Sequence, residues 1–169
     1  MKIVSDKTPK VDVTSILTAT EITAIHDFMH HYPHARAASL DALKIVQKRN
    51  GWVDDAQVNA IANLLDIPVT DIDGVATFFN RIYRQPVGRH VILICDSVAC
   101  YLTGYEALSN AFKAELGIDY GQTTADGRFT ILPICCLGNC DKGPAVLIDE
   151  DTYGPVQPTE VAQLLELYA

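Results

Sequence analysis

The sequence predicts an α/β (α+β) chain in two parts: an N-terminal four-helix bundle, then a small sandwich whose helices cover one mixed sheet. Three observations predict it. Up to about residue 80, apolar residues recur at three- and four-residue intervals, the helical period. The Pro- and Gly-bearing stretch Tyr83-Arg84-Gln85-Pro86-Val87-Gly88-Arg89 then interrupts that period. Beyond it, His90 to Cys95 is a β-branched run of the kind that forms a buried strand. The 169 residues are 49% hydrophobic and 20% charged, near the globular average, which excludes disordered, collagen-like and disulfide-scaffold chains.

The first dozen residues are polar and without periodicity, so 1–17 is expected to be a flexible tail. Thr18 and Glu21 have capping-box spacing, and Ile22, Ile25, Phe28, Met29 and Tyr32 follow on one face, which predicts a helix over 19–31 ended by Pro33. A second is predicted over 36–49, with Leu40, Leu43, Ile45 and Val46 as its stripe and Asn50-Gly51 as a left-handed stop. A third, over 55–65, starts from Asp54-Asp55 and turns Val58, Ile61, Leu64 and Leu65 inward. A short fourth, over 70–78, starts at Thr70 and Asp71. The bundle is thus placed at 18–85 and the second domain at 86–169. In that domain a strand at 90–95 precedes a loop (96–103) and a helix with Tyr105, Leu108, Phe112 and Leu116 on one face. A strand over Phe129 to Ile134, a cysteine-bearing loop, a strand over Ala145 to Ile148, a short strand near Tyr153 to Val156 and a helix from Thr159 complete it. The order β-α-β-β-α suggests a sandwich of thioredoxin type.

Charge divides at the same place. Residues 1–90 carry ten basic and ten acidic side chains, so the net charge of -8 lies beyond Arg89, where Lys113, Arg128 and Lys142 face eleven acids. So acidic a half repels phosphate, which excludes nucleic acid as a partner and leaves any nucleotide to another protein's surface. The N-terminus has no apolar run of signal-peptide length and no 18 apolar residues are consecutive, so a soluble intracellular protein without membrane insertion is expected.

All five cysteines, Cys95, Cys100, Cys135, Cys136 and Cys140, lie in the acidic half. An odd number in a reducing compartment argues for metal or redox chemistry over disulfides. Cys95 and Cys100 frame C-x4-C after one strand, and Cys136 and Cys140 frame C-x3-C after another. Neighbouring strand ends lie about 5 to 10 Å apart, so the two loops can converge on one four-thiolate centre. A structural zinc, an iron-sulfur cluster and reduced structural thiols all remain open. Zinc pairs usually read C-x2-C, whereas C-x4-C opens plant-type [2Fe-2S] sites, although C-x3-C does not close them. Gly104, Gly138 and Gly143 allow backbone N–H groups to approach sulfur.

Cys95-Asp96-Ser97-Val98-Ala99-Cys100, Cys136-Leu137-Gly138-Asn139-Cys140 and Gly143-Pro144 together resemble the thioredoxin-like [2Fe-2S] ferredoxin family. Gly74-Val75-Ala76-Thr77-Phe78-Phe79 and the stretch Ala42-Leu43-Lys44-Ile45-Val46-Gln47 leading to Gly51-Trp52-Val53 are similar to the branch that serves bacterial NADH-quinone oxidoreductase, respiratory complex I. The resemblance runs from about residue 18 to the C-terminus. It implies a thioredoxin-like [2Fe-2S] domain at 86–169 with Cys95, Cys100, Cys136 and Cys140 as ligands of one [2Fe-2S] cluster, and no catalytic acid or base. It further implies FMN and NADH on a partner, the flavin- and NADH-binding (F-type) member of the same complex, other peripheral-arm subunits as neighbours, and a place on the cytoplasmic side of the inner membrane. The diaphorase subunit of an NAD-linked hydrogenase or formate dehydrogenase shares these features, and a zinc-stabilised interaction module is the alternative without redox activity. Cys135 stands where many members carry an acid, and Phe79 where they usually carry Tyr. Pro144 falls where thioredoxin-like folds often have a cis proline.

The remaining polar residues have plainer readings. His26, His30, His31 and His34 lack the H-E-x-x-H pattern and suit a solvated helix end. Trp52 suits packing or an interface. Lys48-Arg49, Arg81, Arg84 and Arg89 suit surface charge.

Overall fold

The computed structural model describes residues 10–168 and divides the chain between Pro86 and Val87 into two compact units. The first unit is helical. A single turn, α1 (Val13–Ile16), is capped by Asp12, whose Oδ1 accepts from the Thr14 amide at 3.1 Å. Next come α2 (Ala19–Met29), a 3-10 turn (Ala35–Ala38), α3 (Ser39–Asn50), α4 (Asp55–Leu65) and α5 (Val69–Phe78). Reciprocal capping boxes start α2 (Thr18 with Glu21) and α4 (Asp54 with Gln57), so side chains satisfy amides that an open helix end would leave bare. Gly51 ends α3 at φ 79, a conformation that costs a side-chain-bearing residue about 1 kcal/mol or more. Ile25, Leu43, Val46, Ile61, Leu65 and Ile72 make the core of this unit.

The helix limits differ from the expected ones for local reasons. The α2 helix stops at Met29: the His30 amide makes the last i−4 bond, to His26, and the His31 amide turns to the Phe28 carbonyl, an i−3 bond that tightens the end. Residues 35–38 wind as a 3-10 turn, so α3 starts at Ser39 rather than 36. Pro68 precedes α5, and Asp71 lies in its first turn, not at its cap. The expected tail at 1–17 is corrected: Leu17 is 2% exposed, and Val11, Val13 and Ile16 pack against the same core, in a run too short to display a helical period. Residues 1–9 of that tail lie outside the described residues.

Arg49 is the other departure. Its guanidinium pairs through Nε with the buried Glu21 carboxylate at 3.0 Å and donates to the Ile16 carbonyl at 3.1 Å, tying α1, α2 and α3 together. The second oxygen of Glu21 accepts from the amide and hydroxyl of Thr18. Gln47 works similarly: its amide donates to the Arg81 carbonyl and its carbonyl accepts from the Tyr83 amide, fixing the segment after α5 against α3. Arg84 reaches the Val53 carbonyl and Asp55.

The second unit is built on a four-stranded sheet ordered β2-β1-β3-β4, from β1 (His90–Cys95), β2 (Phe129–Ile134), β3 (Val146–Ile148) and β4 (Asp151–Tyr153). The β1 and β2 strands run parallel, and β3 and β4 follow antiparallel. The loop expected at 96–103 contains a short helix, α6 (Val98–Leu102), whose five residues are too few to show a period. The α7 (Tyr105–Leu116) and α8 (Val161–Glu166) helices bury Leu108, Phe112, Val161 and Leu164 with Ile92, Ile94, Phe129 and Ile131 of the sheet. The last strand is 151–153 rather than near 153–156, because Gly154-Pro155 follows and proline brings no amide to the ladder. A 3-10 turn (Pro158–Glu160) precedes α8, which therefore starts later than Thr159. The Gly143–Pro144 and Gly154–Pro155 peptides are cis.

Arg49→Ala leaves a buried carboxylate without its cation, so it is expected to lower unfolding free energy by about 1–3 kcal/mol with little change in denaturant slope. Urea titration followed by circular dichroism checks this.

Candidate metal centre

Parallel pairing of β1 with β2 sets Cys95 opposite Ile134, and the Asp96 amide donates to the Ile134 carbonyl at 3.0 Å. Both strands therefore end at one sheet edge, and the chain leaves each of them into a cysteine segment. Cys95 closes β1 and Cys100 lies within α6; both are buried. Cys136 follows β2 by two residues and Cys140 opens a 3-10 turn (Cys140–Lys142); both are exposed. The start of β3 closes the arrangement, with the Cys95 amide donating to the Ala145 carbonyl at 3.1 Å.

Within each pair the sulfurs are neighbours. Cys136 Sγ and Cys140 Sγ are 3.2 Å apart, and the Gly138 amide donates to Cys136 Sγ at 3.3 Å. The Cys95 side chain and the Ala145 backbone lie close enough to the Cys100 sulfur to shift its acidity. The pairs also sense one another, because Cys140 acts on Cys100 and Cys95 acts on Cys140 electrostatically. Among the described residues, no three His, Cys, Asp or Glu side chains form a compact single-ion group. The thiols stand as two pairs within electrostatic reach of each other.

Their acidities follow from this placement. Burial pushes the Cys100 thiol up, assisted by the Cys95 hydrogen bond and opposed by the Ala145 N–H. The hydrogen bond from Cys140, then that from Gly138 N–H, draws Cys136 down, and the same bond raises Cys140. Soft thiolates with N–H donors aimed at sulfur are the donor set of an iron-sulfur centre. Four sulfurs in two pairs fit such a group.

One close approach shapes the site. A Cβ on Gly143 would stand 2.7 Å from Thr103 Oγ1 and 3.5 Å from Cys100 Sγ, so only glycine lets the second loop lie against α6. Thr103 is held by its own hydroxyl bonds to the Ala99 and Cys100 carbonyls. Sequence reading anticipated the glycines at 138 and 143, of which Gly138 supplies an N–H to sulfur. It missed Thr103, the Ala145 N–H and α6; the small residues of Gly143-Pro144-Ala145 were the available signal. Gly104 caps α7 instead.

Cys135 stands apart from these sulfur contacts. The β2 strand ends at Ile134, so Cys135 and Cys136 both lie in the loop beyond it. His26, His30, His31 and His34 are exposed, and His31 Nδ1 lies 2.8 Å from the Asp27 carbonyl oxygen.

Residues 25–169 match the thioredoxin-like [2Fe-2S] ferredoxin family, and the chain belongs to that family. The family cofactor is one [2Fe-2S] cluster. The chain is 58% identical over 153 residues to the E-type component of NADH-quinone oxidoreductase in Pseudomonas aeruginosa, covering 90% of this chain and 92% of that one. It is 57% identical over 152 residues to the component of the same name in Escherichia coli, covering 90% and 92%. Among solved structures it is similar to an NAD+-reducing [NiFe]-hydrogenase chain in the air-oxidized state, with a TM-score of 0.64 and 26% identity over 76% of this chain. It spans only 22% of that chain's length.

Because Cys136 is drawn down and Cys140 raised, metal-free protein titrated upward in pH should be alkylated by iodoacetamide first at Cys136 and later at Cys140. Peptide mass spectrometry across about pH 6 to 9 reads the order; simultaneous labelling at all pH values contradicts it.

Proposed function

We propose that the chain is an electron-carrying subunit of the NADH-oxidising module of bacterial NADH-quinone oxidoreductase, with Cys95, Cys100, Cys136 and Cys140 holding one [2Fe-2S] cluster. The observation that carries this reading is the delivery of two cysteine pairs to one sheet edge by the parallel strands β1 and β2. When bound, such a cluster supplies a one-electron couple. The residues of the chain hold the four thiolates, bury one pair, and lend N–H donors from Gly138 and Ala145 to sulfur charge. No proton-transferring side chain is required of them.

Charge sets the direction of tuning. Two ferric ions, two sulfides and four thiolates sum to about -2, and one added electron makes about -3. The surrounding half carries eleven acids against three bases, which disfavours the added charge and favours a low reduction potential, while the N–H donors oppose that trend.

FMN and NADH are assigned to a partner, the flavin- and NADH-binding (F-type) member of the same complex, with other peripheral-arm subunits around it. Exposed Val98, Tyr101 and Leu102 of α6, next to Cys100, support a contact surface close to the cluster. The helical unit, read as a four-helix bundle, offers the exposed aromatic pair Phe78 and Phe79 as a second contact. Among the described residues no helix is long and apolar enough to cross a membrane, and we assign the chain a peripheral place on the cytoplasmic side of the inner membrane. The likeness to the NAD+-reducing hydrogenase supports a second reading, the diaphorase subunit of a soluble NAD-linked enzyme. The identity to the respiratory subunits over nine-tenths of the chain favours the first.

Anaerobic purification should give a red-brown protein with about two iron and two sulfide per chain, and an electron paramagnetic resonance signal only after reduction. A colourless protein with about one zinc would identify the interaction-module alternative. Serine at Cys95, Cys100, Cys136 or Cys140 should damage the cluster, whereas Cys135→Ser should retain it. Iron lost only from the Cys135 variant would overturn the ligand assignment.

A further inference from the structure

Outside both cysteine motifs, residues 154–156 run behind the second pair. A Cβ built on Gly154 would collide with the Lys142 carbonyl oxygen and stand 2.8 Å from Asn139 Nδ2. No positive φ is involved, so space alone excludes a side chain there. Two residues on, the Val156 amide donates to the Pro144 carbonyl at 3.1 Å, and the Val156 side chain is buried in the core of the sandwich. The turn from Asn139 to Lys142, closed by the Lys142 amide on the Asn139 carbonyl at 3.1 Å, carries Cys140. Its other flank, at Gly143, lies against Thr103 and Cys100.

We propose that residues 154–156 are the brace that sets the position of the Cys136 and Cys140 pair, with Gly154 as a positioning residue. The second cysteine segment is held between α6 on one side and this brace on the other. Cys136 and Cys140 are themselves exposed and bring little packing of their own, so their placement comes from what the loop's backbone leans on. Val156 anchors the brace in the core, and Gly154 permits the close approach. A side chain at 154 pushes the turn, and with it Cys140, away from β4. This reading rests on the cluster assignment above for its consequence, but the coupling of brace to loop is a property of the chain alone.

Gly154→Ala in the full chain is compared with Gly88→Ala. At Gly88 a Cβ would meet the Arg128 backbone at 2.9 to 3.0 Å, close to the β1 end opposite Cys95. Both variants are expected to melt below wild type. Only Gly154→Ala should alter the electron paramagnetic resonance line shape of the reduced protein and release iron to a chelator, about tenfold faster than wild type, with Gly88→Ala within about twofold. Equal chelator rates and unchanged line shapes in both variants overturn the proposal.

Wild-type protein gives a second test should Gly154→Ala fail to fold. Cluster loading should slow hydrogen exchange of the Val156 amide about tenfold, while the Asp149 amide, bonded to the Val91 carbonyl, changes little. Exchange at Val156 indifferent to loading overturns the brace. If wild type takes up no iron, the cluster reading fails instead, and capture of the Cys136 and Cys140 dithiol by phenylarsine oxide in metal-free protein decides. Weaker capture in Gly154→Ala than in Gly88→Ala supports the brace, and equal capture overturns it.

Discussion

Everything at the site depends on the parallel ladder between β1 and β2. Because the two strands point the same way and pair in register from His90 with Phe129 to Cys95 with Ile134, the chain leaves both at the same edge. An antiparallel pairing would put the two segments at opposite ends of the sheet, about six residues or roughly 20 Å apart, and no four-sulfur centre could form. Parallel strands need a long crossover, and α7 is that crossover, its Leu108 and Phe112 buried under the same strands. The apolar packing of the sandwich and the convergence of the thiols are consequences of one topological choice.

Much of this was legible in the residues. The capping boxes at Thr18 and Asp54, the left-handed stop at Gly51 and the β-branched run ending in Cys95 each have a local cause that sequence displays directly. So do the cysteine spacings, since covalent connection limits how far apart two thiols of one loop can stand. What escaped reading depends on partners distant in the chain. Arg49 reads as surface charge until folding brings it to Glu21 of an earlier helix. Short helices such as α1 and α6 carry too few residues to register a period, although tertiary contacts hold them. Thr103 and Gly154 look plain because their meaning lies in the backbone segments that come close to them.

The helical unit is organised on a different principle. Its helices meet through a shared apolar core, and side chains that grip backbone carbonyls or amides fasten its edges: Arg49 on Ile16, Gln47 on Arg81 and Tyr83, Arg84 on Val53. Each such bond satisfies a main-chain group that a loop would otherwise leave to solvent. The turn between Phe78 and Arg84 is thereby held in place, and the exposed Phe78 and Phe79 rings project from a fixed support. An aromatic surface displayed this way loses little conformational freedom when it is covered.

The two cysteine pairs differ in depth, with Cys95 and Cys100 buried and Cys136 and Cys140 open to solvent. In metal-free protein that asymmetry gives the two pairs unequal exposure to solvent oxidants. Exposure and thiolate character govern how readily a thiol oxidises, and the outer pair is the exposed one. With Cys140 Sγ 3.2 Å from Cys136 Sγ, a sulfenic acid on either sulfur would have a thiol within reach, with which it would condense to a disulfide and water. Such a disulfide is reducible, whereas a sulfinate is not.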